Sequence, residues 1–362
     1  MVMPGLVVGS AIKTGESGGK KADYLAPWRP GAAGWSEIKG EIAMTPRRAL
    51  LAAPLLAAPA VANTAWPGDR PVEVVVPFPA GGGVDVMARL IMPLVAARIP
   101  GLRHVVTNRS GAAGQIGMEA VFTAPADGYT LGATTLPALN AIPLERQARF
   151  RALDFTFLGN IVEDANAFYV RADSPIRSVA ELIAAGRARP GGMTYGTTGV
   201  GSDDHLFMLR FEQAAGVPRF VHVPFPGVAP LIPQLLGGHM DMAAVNVGDG
   251  LALVREGRLR LLAQAAERRQ PEAPDTPTFR ELGLDVVMGA SRGLIGPPGL
   301  PAAITTALTE ALAGAMAEPS FQAEAARQAM PLRPITGPAY RDYAAMVDAR
   351  TRDLWRASPW RE

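Results

Sequence analysis

Val74-Val75-Val76-Pro77-Phe78-Pro79-Ala80-Gly81-Gly82-Gly83-Val84-Asp85 joins a run of β-branched residues to a glycine turn and a helix start. Three consecutive valines suit a strand buried on both faces, as in the sheet of an α/β protein. Pro77 ends the strand, and the glycines let the backbone come close to a ligand. A helix is expected from near Asp85. Such a strand-to-helix turn points unpaired N–H groups and the positive end of a helix dipole outward, which suits a carboxylate. A tight connection holding no ligand has the same local pattern. The G-x-G-x-x-G spacing is absent, so the turn is not a dinucleotide fingerprint.

On either side the same alternation continues. Strands are predicted at Val72–Val76, Val105–Thr107, Tyr129–Ala133, Ala167–Val170, Met193–Gly196, Val221–Val223, Met240–Val245 and Leu259–Ala263. Helices are predicted at Val84–Arg98, Gly114–Thr123, Val179–Arg187, Asp203–Ala215 and Leu251–Glu256. Short connections between them argue for α/β architecture with largely parallel sheets. After Pro297-Pro298-Gly299-Leu300-Pro301 the pattern turns helical, at Ala302–Met316 and Pro338–Ala357, with Pro301 placed as at a helix start.

Two further loops repeat the design. In Tyr195-Gly196-Thr197-Thr198-Gly199-Val200-Gly201-Ser202-Asp203-Asp204-His205, Ser202 is a good N-cap and the two aspartates suit the first turn. Those acids either cap the helix or meet a ligand cation. His205, one turn in, reads as a packed residue or a site residue. In His222-Val223-Pro224-Phe225-Pro226-Gly227-Val228-Ala229-Pro230 a strand ends, Gly227 turns the chain and a helix begins near Pro230. Thr134 and Thr135 supply hydroxyls after the strand at Tyr129.

Composition removes several chemistries. All four lysines (Lys13, Lys20, Lys21, Lys39) precede residue 44, so the rest of the chain offers no Schiff base, pyridoxal lysine or P-loop lysine. There is no cysteine, which excludes disulfides, thiolate metal sites and thiol nucleophiles. No G-x-S-x-G elbow occurs, and the four histidines (104, 205, 222, 239) lack metal spacing. No basic stripe suggests nucleic acid. Residues 63–362 hold 28 Arg against 29 Asp and Glu, a net of −1 where the full chain is +2. No cofactor is expected, and binding explains the loops better than catalysis does.

The N-terminal region has its own logic. Arg47-Arg48, the uncharged run Ala49–Val61 and the small-x-small site Ala60-Val61-Ala62 form an export signal over 44–62, with mature protein from near Asn63. The run is too short to cross a bilayer, and Arg-Arg fits a Sec or a twin-arginine signal. Residues 1–43, rich in Gly and Lys, are expected to be an over-extended reading frame with Met44 as the true start. N-terminal sequencing of the precursor tests this.

The spaced motifs resemble one family. Pro77–Asp85 is similar to the first binding loop of the tripartite tricarboxylate transporter substrate-binding receptors, the Bug family. In family order follow Asn108-Arg109 with Gly111 and Gly114, Ala126-Asp127-Gly128-Tyr129-Thr130-Leu131, and Tyr195-Gly196 with Gly199, Gly201-Ser202 and His205. Then come His222-Val223-Pro224, Leu235-Leu236-Gly237-Gly238, Gly257-Arg258-Leu259-Arg260, Pro274-Asp275-Thr276-Pro277-Thr278 and Gly296–Pro301. The resemblance runs from about Trp66 to the C-terminus. It implies a type II-like periplasmic-binding-protein fold of two α/β lobes joined by two crossover segments. Lobe one would be 63–164 plus 288–362, and lobe two 165–287. It further implies a periplasmic, monomeric receptor that delivers a small organic acid to membrane transporter subunits.

By the same resemblance the ligand meets Phe78, Gly82, Gly83, Val84 and Asp85, then Thr134 and Thr135. Lobe two adds Thr197, Gly199, Gly201, Ser202 and His205, with Asn246. The chain departs from the family pattern in four places. Val84 stands where a small polar residue is usual, and Phe225-Pro226-Gly227-Val228 replaces Tyr-Lys-Gly-Gly. Asp203 and Asp204 replace small polar residues, and Arg292 falls near a usual aromatic. Lysine lost and acids gained disfavour a polyanion such as citrate and leave room for a monocarboxylate, an amide or an amino-bearing ligand. Two other readings are an exported enzyme acting on a small carboxylic compound and a receptor feeding a sensor kinase.

Overall fold

The computed structural model describes residues 66–68 and 70–360; the extension, the export signal and the expected start at Asn63 lie outside them. In chain order the first elements are β1 (Val72–Val76), α1 (Gly83–Ala96), β2 (His104–Asn108), α2 (Gln115–Phe122), β3 (Thr130–Leu136), α3 (Ala138–Glu145) and β4 (Thr156–Arg171). Then come α4 (Val179–Ala188), β5 (Thr194–Thr197), α5 (Asp203–Ala215), β6 (Val221–Pro224), α6 (Val228–Leu236), β7 (Met242–Asn246), α7 (Val247–Arg255) and β8 (Leu259–Gln264). The chain closes with β9 (Gly289–Gly296), α8 (Ala302–Met316), α9 (Pro319–Arg327), β10 (Leu332–Thr336) and α10 (Pro338–Ala357).

The strands hydrogen-bond in the order β2-β1-β3-β9-β4-β7-β5-β6, with β8 and β10 also on β4. Pairing is mixed rather than largely parallel. The β1–β2, β1–β3, β5–β6 and β5–β7 pairs are parallel, and every antiparallel pair involves β4 or β9. The physical reason is the route of the chain. Each lobe is wound by strand–helix alternation, which yields parallel neighbours, while β4 and β9 carry the chain between lobes and run against them.

β1 is buried on both faces, as its valines predict. Val72, Val74 and Val76 meet Met87, Ile91 and Val95 of α1 and Leu308 and Leu312 of α8. Val75 faces the other way, into a core with Met118, Leu139, Phe157 and Tyr340. β4 changes core along its length: Leu158, Ile161 and Val162 belong to the first lobe, and Phe168 and Val170 to the second. There the Phe168 ring lies 4.7 Å from both Phe207 and Phe211 and 5.2 Å from Phe279. A fully buried side chain of this size contributes about 1.5–3 kcal/mol over its exposed state, so each lobe has a core of its own. Two α/β lobes therefore share β4.

The termini of the strand–helix units set the site. Ser202 caps α5 by accepting the His205 N–H at 3.2 Å. Thr134 and Thr135 lie inside β3, not after it, because the strand runs on to Leu136. α6 begins at Val228, directly after Gly227, rather than near Pro230. Among the described residues no helix is long and apolar enough to cross a membrane.

Candidate functional site

Between the lobes lies a cavity of about 410 Å³, part of it open to solvent. Lobe one supplies Phe78, Gly82, Gly83 and Val84 from the first loop, together with Thr135 of β3 and Arg292 of β9. Lobe two supplies Thr198, Asp203, Gly227, Asn246 and Asp249.

The first loop is held rigidly. Asp85 accepts the Gly81 N–H at 2.9 Å, Arg89 Nε at 3.0 Å and Asn108 Nδ2 at 2.8 Å. Asn108 Nδ2 also donates to the Phe78 carbonyl at 3.0 Å. Burial works against the Asp85 charge, yet hydrogen bonds from Arg89, Gly81 and Asn108 leave its carboxyl below its usual range. Gly82, the N-cap of α1, has no side chain to satisfy the first-turn amides, and with Gly83 and Val84 it lines the cavity, so the positive end of the helix lies at it. Gly83 is required by close approach: a Cβ there would lie 2.3 Å from Arg292 Nη1.

Arg292 is 3% exposed and ties the lobes together. Its Nη2 donates to Asn246 Oδ1 at 2.8 Å and approaches Asp164 at 3.4 Å and Asp249 at 3.5 Å. Asn246 Nδ2 donates to Asp203 Oδ2 at 2.9 Å and to the Asp164 carbonyl at 3.1 Å. Asn166 Nδ2 serves Asp203 at 2.7 Å and Asp204 at 3.0 Å. Four buried carboxyl groups thus cluster here, and two of them, Asp164 and Asp249, pair with the Arg292 guanidinium. Burial, helped by the Asp249 and Asp203 charges, pushes Asp164 up to about 8 against the pull of Arg292 and Gly248. Burial and the neighbouring Asp203 raise Asp204 well above the usual carboxylate value, and burial raises Asp249.

The sequence candidates divide. Phe78, Gly82, Gly83, Val84, Thr135 and Asn246 line the cavity. Asp85 turns to its own loop, and Thr134, next to Thr135, points to the opposite face of β3. Thr197 Oγ1 bonds His222 Nε2 at 2.6 Å. Gly199 packs on Ala113 of lobe one, and Gly201 donates its N–H to His205 Nδ1 at 3.2 Å. Ser202 is occupied as the helix cap. His205 lies in a stack, its ring 4.2 Å from that of His222, which lies 5.0 Å from Tyr195. These residues shape the second loop behind the cavity wall. Asp249, Pro79 and Ala290 line the cavity and were not singled out by sequence. Asp249 reaches back to the Asn246 N–H at 3.1 Å, and the Asn-x-x-Asp spacing at the end of a strand was the available signal.

Burial pulls His205 down to about 3, assisted by His222 and Arg219, and pulls His222 down to about 4. A depressed imidazole supports the fold fully above its unfolded value near 6.5. It gives that support up as pH falls from there toward 4, at about 1.4 kcal/mol per pH unit for each ring. The raised carboxyls run the other way, so the rings are best read individually. By NMR both imidazoles are expected to stay neutral at pH 5; titration of either near 6.5 would contradict this stacked, buried arrangement.

The profile of the tripartite tricarboxylate transporter family receptor matches residues 89–346. The chain belongs to that family. It is 31% identical over 292 residues to the UPF0065 protein in the gbd 5′ region of Cupriavidus necator, covering 80% of this chain and 88% of that one. Among solved structures it is similar to R. palustris Rpa4515 with adipate, at 29% identity and TM-score 0.76, covering 81% of this chain and 98% of that one. MatC from Rhodopseudomonas palustris with bound malate gives 26% identity and TM-score 0.72, covering 79% and 98%. The family is one of solute-binding receptors, and the two-lobed periplasmic-binding-protein fold expected from the motifs is the fold observed.

Proposed function

We propose that the chain is a periplasmic solute-binding receptor that captures a small carboxylate between its lobes and delivers it to the membrane subunits of a tripartite tricarboxylate-type transporter. The observation that carries this reading is the uncapped N-terminus of α1 opening into the cavity at Gly82 and Gly83, where amide donors and helix dipole favour an anion. The carboxylates named for the two related structures support the same ligand class.

In this reading the lobes are 63–164 plus 288–362 and 165–287, and Phe78, Gly82, Gly83, Val84, Thr135 and Asn246 touch the ligand. Asp85, Thr134, Thr197, Gly199, Gly201, Ser202 and His205 hold the loops in place. The receptor acts as a monomer, is exported by the 44–62 signal and performs no turnover. His205 speaks against an enzyme: it is packed behind the cavity wall and held neutral, away from any reacting atom.

A melting-temperature screen of small mono- and dicarboxylates tests the reading. A ligand at a hundred times its Kd stabilises the folded state by about 2.7 kcal/mol. At least one acid is expected to raise the melting temperature; no response from any would contradict the proposal.

A further inference from the structure

The two walls of the cavity present different groups. Lobe one presents the α1 N-terminus and the Arg292 guanidinium, both positive. Lobe two presents Asp203 and Asp249. Arg292 is engaged with Asp164, Asp249 and Asn246, and among the described residues no cation lies within ion-pair distance of Asp203. Asp203 Oδ2 receives only neutral amide donors, from Asn166 and Asn246.

A second observation points to a ligand at the same place. Thr135 lines the cavity at 4% exposure, and its hydroxyl has no hydrogen-bond partner. A buried polar group without a partner is costly, and a site in which a ligand completes it accounts for it. Thr135 pairs with Arg292 across β3 and β9, which sets its hydroxyl on the lobe-one side of the cavity. A metal ion fits poorly as the missing cation, because no three acidic or imidazole groups among the described residues are placed to hold one.

We infer that the ligand is a zwitterion, a small carboxylate bearing a protonated amine, with its carboxylate against Gly82, Gly83 and Thr135 and its ammonium against Asp203. This rests on the carboxylate-receptor reading and narrows it. Asp203 Oδ2, met only by the Asn166 and Asn246 amides among the described residues, offers an acceptor to an ammonium, and a charge-assisted hydrogen bond is stronger than a neutral one. A ligand with carboxylates alone would bring its second anionic group against that wall.

The test is calorimetric titration of the mature chain with matched pairs: glutamate and glutarate, aspartate and succinate, 6-aminohexanoate and hexanoate, β-alanine and propionate. In the best-binding pair the amino member is expected to bind at least about tenfold tighter. In Asp203→Asn that preference is expected to fall to within about threefold. Equal or tighter binding of the amine-free member by the wild-type chain would overturn the inference while leaving the receptor reading intact. An undiminished preference in Asp203→Asn would overturn the assignment to Asp203. No binding by any member would overturn the receptor reading itself. The wild-type comparison decides the inference whether or not the variant folds.

Discussion

Replacing Arg292 with methionine is expected to lower stability by about 3–5 kcal/mol at neutral pH, because it leaves a buried group of carboxyls without their cation. Methionine keeps much of the stem volume, so the loss is electrostatic more than a cavity effect. Asp164 and Asp249 lose the one guanidinium that pairs with them among the described residues, and Asn246 Oδ1 loses its donor. In a two-lobed chain of this length the expected drop in melting temperature is on the order of 10 °C. The sign of its pH dependence follows from the carboxyls. Burial already raises Asp164 and Asp249, and removing a positive neighbour raises them further. Acidification then supplies the protons the variant needs, so the deficit is expected to be largest above pH 8, where Asp164 ionises in the wild-type chain, and to shrink as pH falls to about 8. Denaturant titration at several pH values checks it. A deficit below about 1 kcal/mol throughout, in the range of an exposed ion pair, would show that Arg292 does not balance the cluster.

Gly227→Ala is expected to weaken ligand binding roughly 5- to 150-fold while leaving the fold of each lobe intact. Gly227 has φ 161°, an extended backbone that alanine adopts freely, so no strain arises within its own loop. The obstacle is the other lobe: a Cβ would lie 2.7 Å from Pro79 Cδ and 3.3 Å from its Cγ. Pro79 and Gly227 line the cavity from opposite sides. The added methyl therefore opposes the approach of the lobes, and a ligand that needs both walls must work against that overlap. Calorimetry on the variant, with Pro79→Ala and the double variant beside it, separates the mechanism from general damage. Relief of part of the loss in the double variant is the signature of this contact. Full affinity in Gly227→Ala would mean that the ligand is held with the lobes further apart.

Much of the framework was legible because local signals and tertiary demand agree. The predicted ranges Asp203–Ala215, Ala302–Met316 and Pro338–Ala357 coincide with α5, α8 and α10, each opened by a good N-cap or a proline at its start. The strand at Val72–Val76 is likewise β1. What sequence could not reveal lies where the lobes join. Of β4, only Ala167–Val170 reads as a strand; Glu163-Asp164-Ala165-Asn166 is polar and gains its strand character from flanking β9. β9 itself, Gly-Ala-Ser-Arg-Gly-Leu-Ile-Gly, has little β-propensity. Its small residues answer to crowding, since a Cβ on Gly293 would lie 2.4 Å from the Gly159 carbonyl.

The site follows the same division. Gly82, Gly83 and Val84 were visible as a loop after a buried strand. Asp249 was not, because what makes it a site residue is Arg292, 43 residues away in the chain. The resemblance brought Asp203 and Arg292 to notice as departures from the family pattern. Only the structure places both on one cavity with Asn246 between them. The missing lysines, first a list of excluded reactions, become a cavity whose one buried cation among the described residues, Arg292, is paired with Asp164 and Asp249.

The most direct test is a crystal structure of the chain with the tightest-binding acid of the ligand panel. The account predicts the ligand between the lobes, its carboxylate within hydrogen-bond distance of the Gly82 or Gly83 amide, and at least one contact from Thr198, Asp203 or Asn246. A cavity left empty at saturating ligand, or a ligand bound to one lobe alone, would contradict it.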